Sequence, residues 1–315
     1  MRIEGVSIVV RVYNGMPHLR AAVQSALRQT YAKVEVLVID DGSQDGTPAF
    51  LDTVKDARLR VIRQENQGPA AAGNRGLREA KYNWIAILDA DDLAAPERIE
   101  KGIVFLEQHP EYACLGSRCG YVGGDDQPYV AHIFGRSFTP TTMPNMLQPP
   151  EVDLLTATIP HSSALYDRRL ALEVGGYRVD MPVAEDYDLL LRLADRQRIA
   201  CLPETLAYLR ILPGSLTSQH MRAMRAAHHF ARTCAQARRS GRPEPVFEEF
   251  MNAFKPSAVD RRSLRASSHY RLFLAQMTSG RRLRAWYHLG CYASCDPAGF
   301  LGLIKSTFRK VRAAA

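Results

Sequence analysis

Nowhere do the 315 residues offer the roughly 18 consecutive apolar side chains that a membrane-crossing helix needs, which argues against a spanning segment. The first strand-like run starts at Val6, too early to leave room for a signal peptide, so a cytoplasmic protein is expected. Cysteine is sparse. The six, at positions 114, 119, 201, 234, 291 and 295, form no C-x-x-C pair, so neither a zinc site nor a disulfide framework is indicated. The turn after the first apolar run, RVYNGMPHL, holds one glycine where a dinucleotide-binding G-x-G-x-x-G needs three, which speaks against an NAD oxidoreductase. Acidic residues are scarce in the last third: residues 215–315 hold 18 Lys+Arg against 5 Asp+Glu, while residues 1–214 are net acidic. That third is a candidate surface for an anionic partner. No nucleic-acid-binding module accompanies the charge, so phospholipid is the better fit than nucleic acid.

What is present is a large apolar fraction, 46%, arranged as alternating strand and helix signals. Val6 to Val12 reads as a strand, Tyr13-Asn14-Gly15 as a turn, and Leu19, Val23 and Leu27 as one face of a helix that Pro17 begins. Further strands are expected at Val34 to Ile39, Leu59 to Ile62 and Trp84 to Leu88, with helices from Pro48 and from Gln67-Gly68-Pro69 between them. Repeated β-α units with short turns imply an α/β fold with a doubly wound, mostly parallel sheet. Later signals place a helix from Pro96 to Gln108 and strands at Tyr112 to Val122, Tyr129 to Phe134 and Ser162 to Tyr166. They also place helices at Arg168 to Val174 and Glu185 to Asp195, and a strand from Leu206 after Pro203. Prolines 140, 144, 149 and 150 break up the middle, and everything beyond Ser215 reads as helix. The expected domains are 1–214, catalytic, and 215–315, a basic helical region.

In such sheets ligands collect at the carboxyl ends of the strands. Those ends carry Tyr13, Asp40, Asp41, Asp89, Asp91 and Asp92. Three carboxylates within four residues, at 89, 91 and 92, repel one another by several kcal/mol at close range, so a cation is expected there. If the backbone stays extended past Asp89, then Asp89 and Asp91 leave the same face and offer hard oxygen ligands for Mg²⁺ or Mn²⁺ bridging a diphosphate. The alternative is that Asp91 or Asp92 caps the helix that Pro96 and Glu97 open. Asp40 and Asp41 are placed to cap a helix near Asp45, and Asn66 and Asn74 suit turn and cap duty. Glu185-Asp186 by itself reads as ordinary helix-start charge.

The stretches SIVVRVYNG, YAKVEVLVIDDGSQDGT, ENQGPAAAGNRGLREA, WIAILDADD, HSSALYDRR, EVGGY, EDYDLLLRL and LRILPGSLT occur in order over residues 3–217. In that order they resemble the inverting, sugar-nucleotide-dependent glycosyltransferase family 2, which has the GT-A fold. The resemblance implies that Tyr13, Asp40, Asp41, Asn66, Asn74 and Asp89 line the nucleotide site, with a UDP-sugar favoured, and that Asp91 ligates the divalent metal. It implies that Asp186 is the base that deprotonates the acceptor hydroxyl. His161, Ser162 and Glu185 are assigned to the sugar or acceptor pocket, a lone histidine being as well suited to a structural role. Inversion at the anomeric carbon comes from the resemblance alone. Three positions depart from the pattern: Arg11 replaces a usual Pro, Gly73 a usual Arg, and Leu212 a frequent His. Arg11 is expected to supply the guanidinium that Gly73 lacks.

Phe300, Leu301, Ile304, Phe308 and Val311 fall on one helical face with Lys305, Arg309, Lys310 and Arg312 opposite, a pattern suited to an anionic bilayer and to a saccharide or lipid-linked acceptor. Docking of that face on the catalytic domain is the alternative. A non-catalytic sugar-nucleotide binder and a nucleotidyltransferase are the rival functions.

Overall fold

A computed structural model describes residues 2–123, 125–128, 131–133, 136–138, 159–212, 220–279 and 281–301. The chain divides into two compact units, residues 1–119, 146–209 and 231–244 in the first and 120–145, 210–230 and 245–315 in the second.

The first unit begins with β1 (Val6–Val12), α1 (Leu19–Leu27), β2 (Val34–Asp40), α2 (Thr47–Thr53), β3 (Leu59–Arg63), α3 (Pro69–Glu79) and β4 (Trp84–Asp89). These strands pair in parallel in the order β3-β2-β1-β4. Every residue of β2 is buried, the sign of a sheet covered on both faces. α1 supplies one cover by burying Leu19, Ala22, Val23 and Ala26, and α3 also packs on β1 and β2.

The sheet then changes character. After the short β5 (Leu93–Ala94), α4 (Arg98–Gln108) and β6 (Tyr112–Tyr121), strand β9 (Leu165–Asp167) runs antiparallel to both β4 and β6. Between them in sequence lie β7 (Ala131–Ile133) and β8 (Arg136–Phe138), a separate antiparallel pair that belongs to the second unit. The first unit continues with α5 (Arg168–Glu173), α6 (Glu185–Ala194) and β10 (Arg198–Leu209), giving the sheet order β3-β2-β1-β4-β9-β6-β10-β5.

Two expectations are corrected. Ser162 does not open a strand: His161–Ser163 form a 3-10 turn closed by Ser163 N–H donating to the Pro160 carbonyl, and the strand starts at Leu165. Nor does Pro203 precede its strand. It lies exposed within β10, a position where the missing N–H is tolerated. Prolines 140, 144, 149 and 150 and residues 302–315 lie outside the described residues.

Among the described residues the helices α7 (Met221–Arg239), α8 (Phe247–Ala253), α9 (Ala258–Thr278) and α10 (Arg282–Cys295) follow. In the second unit Phe230 meets Phe247 and Phe250 edge-on at 5.1 and 5.5 Å, and α9 and α10 pack together through Tyr270 and Tyr292, 5.2 Å apart. Within the first unit, residues 231–239 of α7 bind α6 and its end, Arg232 donating to the Tyr187 hydroxyl and Arg238 to Asp195.

Candidate functional site

The register of the parallel strands sets the site. Arg11 lies beside Asp89, and Val12 beside Asp40, so the last residues of β1, β2 and β4 finish level with one another. The turns that follow are stitched together by polar side chains. Asn14, in the left-handed region at φ 53°, accepts from Gln44 N–H, while its own N–H donates to Ser43 Oγ. Met16 N–H donates to Asp45.

Asp40 and Asp41 are both buried and both occupied by backbone. Asp40 accepts from Ser43 N–H, and Asp41 accepts from the Gln64 side chain and from the N–H groups of Gln67 and Gly68. Neither caps α2, whose N-cap is Gly46 with no side-chain bond. Tyr13 is half exposed and Asn66 exposed, so both face solvent.

At the end of β4 the chain turns instead of staying extended, Asp92 N–H donating to the Asp89 carbonyl. Asp89 and Asp91 therefore do not alternate as strand neighbours. Asp92 is buried and accepts from Ser162 Oγ at 2.5 Å, while the same oxygen accepts from Asp89 N–H at 3.1 Å. The hydroxyl of Ser162 thus ties the acidic turn together from beneath. Helix α4 starts only at Arg98, after β5, and its N-cap is Glu97, so neither Asp91 nor Asp92 caps it. The side chain of Asp89 is 40% exposed. Burial opposes its charge, but His161, Arg11 and Ser162 hold its pKa well below the usual carboxylate range.

Arg11 occupies the centre. Its Nη1 donates to Glu185 Oε1 and to the Pro69 carbonyl, each at 2.9 Å, and its Nη2 lies 2.9 Å from His161 Nδ1 and 3.7 Å from Asp89. His161 Nδ1 also lies 3.3 Å from Asp89 Oδ1, and its Nε2 lies 3.0 Å from the Tyr177 hydroxyl. That hydroxyl is in turn 2.7 Å from Tyr166 Oη. The guanidinium lies 5.2 Å from the centre of the Tyr177 ring. Burial disfavours its charge, yet Glu185, Tyr177 and Asp89 hold its pKa above the ordinary arginine value.

Tyr177 is seated by two residues of α3. Gly73 leaves room for the ring, since a Cβ there would lie 2.7 Å from two ring carbons. Asn74 brackets the Tyr177 backbone, donating to its carbonyl and accepting from its N–H, both at 2.8 Å. Both ends of the Asn74 amide are committed to this clamp.

Glu185 and Asp186 form the first turn of α6, entered through Ala184 at φ 60°. Glu185 is buried, and burial raises its pKa against the pull of Arg11. Asp186 is half-buried and close enough to act electrostatically on Glu185 and Tyr177. Two residues on, Asp188 is fully buried and accepts from Arg192 and Arg178, which locks the helix in rotation.

Among the described residues no three His, Cys, Asp or Glu side chains are grouped to hold a metal ion. The carboxylates of Asp89 and Asp91, two residues apart at the end of β4, are of the type that suits a hard cation whose remaining ligands are water and phosphate oxygens.

The sequence model of glycosyl transferase family 2 matches residues 7–175. This chain belongs to glycosyl transferase family 2. Among relatives of this family 2 chain, the succinoglycan biosynthesis protein ExoO of Rhizobium meliloti is 41% identical over 103 residues, 32% of this chain and 30% of that protein. The matched segments span about a third of the length of the first such relatives. Two solved structures share the fold. The mannosyltransferase PcManGT of Pyrobaculum calidifontis, in complex with GDP-Man and Mn²⁺, aligns with TM-score 0.58 and 22% identity over 100% of this chain and 81% of that one. S. aureus TarS 1–349 in complex with UDP-GlcNAc aligns with TM-score 0.57 and 17% identity over 96% and 92%. The expected GT-A fold, with a helical C-terminal region, is therefore found.

Three parts of this arrangement are absent from the list of site residues that the motifs suggest: Tyr177, Tyr166 and the buried role of Asp92. Tyr177 had a signal, because it closes the motif EVGGY.

Proposed function

We infer that this chain transfers a sugar, with inversion, from a nucleotide-diphosphate sugar to an acceptor hydroxyl in the synthesis of a cell-surface polysaccharide or glycolipid. The observation that carries the reading is Arg11 bridging Asp89, at the end of β4, to Glu185, at the start of α6. Donor-side and acceptor-side carboxylates thereby meet at one point.

In this reading Tyr13 and Asn66 contact the nucleoside from the exposed edge, while Asp40 and Asp41 shape the loops beneath it. Asn74 contributes by seating Tyr177, and His161 and Ser162 set the floor under the sugar. Asp186 takes the proton from the acceptor hydroxyl as that oxygen bonds to the anomeric carbon. The bond from that carbon to the diphosphate breaks, and its electron pair leaves on the phosphate oxygen. Asp91, with Asp89 beside it, would hold Mg²⁺ or Mn²⁺, which when bound supplies positive charge to the departing diphosphate. PcManGT carries Mn²⁺ with GDP-Man and TarS carries UDP-GlcNAc, so both guanine and uracil donors belong in the assay.

A panel of UDP-, GDP-, CDP- and dTDP-sugars with Mn²⁺ tests the reading on the purified protein and on Asp186→Asn. Transfer or donor hydrolysis by the native chain, reduced at least a hundredfold in the variant while donor affinity stays within threefold, is expected. Donor binding with no turnover in either protein would instead favour the non-catalytic binder, the rival that the departures from the family pattern at Arg11, Gly73 and Leu212 motivate.

The second unit is assigned to an anionic membrane surface carrying the lipid-linked acceptor. Leu283, Trp286 and Tyr287 fall on one face of α10, 89%, 58% and 67% exposed, and Arg281 and Arg284 flank them. Exposed aromatic side chains beside cations match the bilayer interface in both polarity and charge.

A further inference from the structure

We propose that Arg11 is a positioning residue: its ion pair with Glu185 holds the first turn of α6 in a strained entry and so sets the Asp186 carboxylate toward the acceptor. The proposal rests on the reading of Asp186 as the base.

Ala184 has φ 60° and ψ 21°, the left-handed region that residues with a Cβ disfavour. Such a conformation persists only where the surroundings impose it. No side-chain hydrogen bond caps this helix, so the cap itself supplies no such restraint. The restraint comes instead from Arg11, 174 residues away in sequence, through the 2.9 Å bond to the very next residue. Arg11 is itself fixed from three further sides, by the Pro69 carbonyl that opens α3, by His161 Nδ1 and by the Tyr177 ring. A planar guanidinium reaches all of these at once, which a lysine ammonium does not. With its side chain 11% exposed, and both terminal nitrogens committed to protein atoms, Arg11 is placed to act through Glu185 and not by touching the donor. Loss of the cation leaves Glu185 buried without its partner, and the left-handed turn loses the contact that imposes it.

Three variants, Arg11→Met, Arg11→Lys and Glu185→Gln, together with the Met/Gln double variant, test this by kinetics, donor titration and hydrogen exchange on the full chain. In R11M the amides of residues 185–188 are expected to exchange at least tenfold faster than in the native protein, while those of β2 do not change. The kcat is expected to fall at least thirtyfold with donor affinity within threefold. R11K, which keeps the charge but not the fork, shows the same pattern with a smaller kcat loss and carries the test if R11M does not fold. The double variant is expected to be no slower than the slower single variant, as for two residues on one path. Donor affinity weakened tenfold at unchanged kcat would make Arg11 a donor ligand and overturn the proposal, as would unchanged exchange at 185–188. A native chain that turns over no donor defeats the reading of Asp186, while the exchange measurement still decides whether Arg11 clamps the turn.

Discussion

A methyl group on residue 73 would lie 2.7 Å from Cδ2 and Cε2 of Tyr177, so Gly73→Ala has to displace the ring. Overpacking of this kind costs about 1–3 kcal/mol. The ring also carries the Arg11 guanidinium and sends its hydroxyl to His161, so the cost reaches the site. A lower melting temperature together with reduced turnover is therefore expected for G73A, and thermal denaturation beside a donor assay reads both. Residue chemistry of this sort was partly legible in the sequence. Gly73 and Arg11 stand out as departures from the family pattern, and Arg11 was expected to stand in for a guanidinium missing at 73. Both positions lie against the Tyr177 ring. Asp41 and Asn74 show what stays hidden. The sequence places them in strand-end and helix-start stretches, but only coordinates reveal that Asp41 is used by Gln64, Gln67 and Gly68 and Asn74 by the Tyr177 backbone.

Among the elements, α9 begins with a reciprocal cap in which Ser257 and Asp260 bond each other's backbone N–H. Asp260 also accepts from Arg225 and His229 of α7. The hydrogen bond from Ser257, then those from His229 and Arg225, hold its carboxyl below the ordinary value of 3.8. A depressed carboxylate stabilises the fold above its unfolded pKa, and that contribution disappears as the pH falls through its folded value. Asp260→Asn is expected to lower stability at neutral pH by about 2 kcal/mol, the scale of hydrogen bonds to a charged group. The loss narrows as the pH falls below the ordinary carboxylate value of 3.8, so the gap between the two melting curves shrinks steadily toward strong acid. Had the carboxylate no net role, the two curves would run parallel. A second element, α5, is capped by Asp167, which accepts from Arg169 and Leu170 N–H. Asp167→Ala is expected to cost about 1 kcal/mol in the same measurement, without altering donor affinity.

For the molecule as a whole, no three candidate ligands are grouped among the described residues, so the proposed Mg²⁺ or Mn²⁺ is expected to bind together with the donor. Chelation by EDTA is expected to leave the melting temperature of the ligand-free protein unchanged and to remove most of the rise that a nucleotide-diphosphate sugar produces. A fall in the ligand-free melting temperature would point to a structural metal. No helix among the described residues is long and apolar enough to cross a membrane, and the membrane contact proposed above is made through Leu283, Trp286 and Tyr287. Flotation with vesicles containing phosphatidylserine is expected to recover the chain at low salt. Trp286→Ser with Tyr287→Ser should lower recovery at least threefold, and neutral vesicles should recover little. Equal recovery of the double variant would remove α10 from the membrane reading.

The sequence by itself determined the order of β-α units, the acids at the strand ends and the family. Each of these is written locally, in apolar periodicity, turn residues and short motifs. Tertiary structure alone decided that the sheet turns antiparallel at β9, that β10 runs through Pro203, and that the chain bends between Asp89 and Asp92. It also decided which acids remain open and which are consumed. Arg11 and Glu185 are 174 residues apart, and nothing in the pattern around either announces the other. Their meeting depends on strand register, on the small side of α3 at Gly73 and on the seating of Tyr177, all of which exist only once distant segments pack.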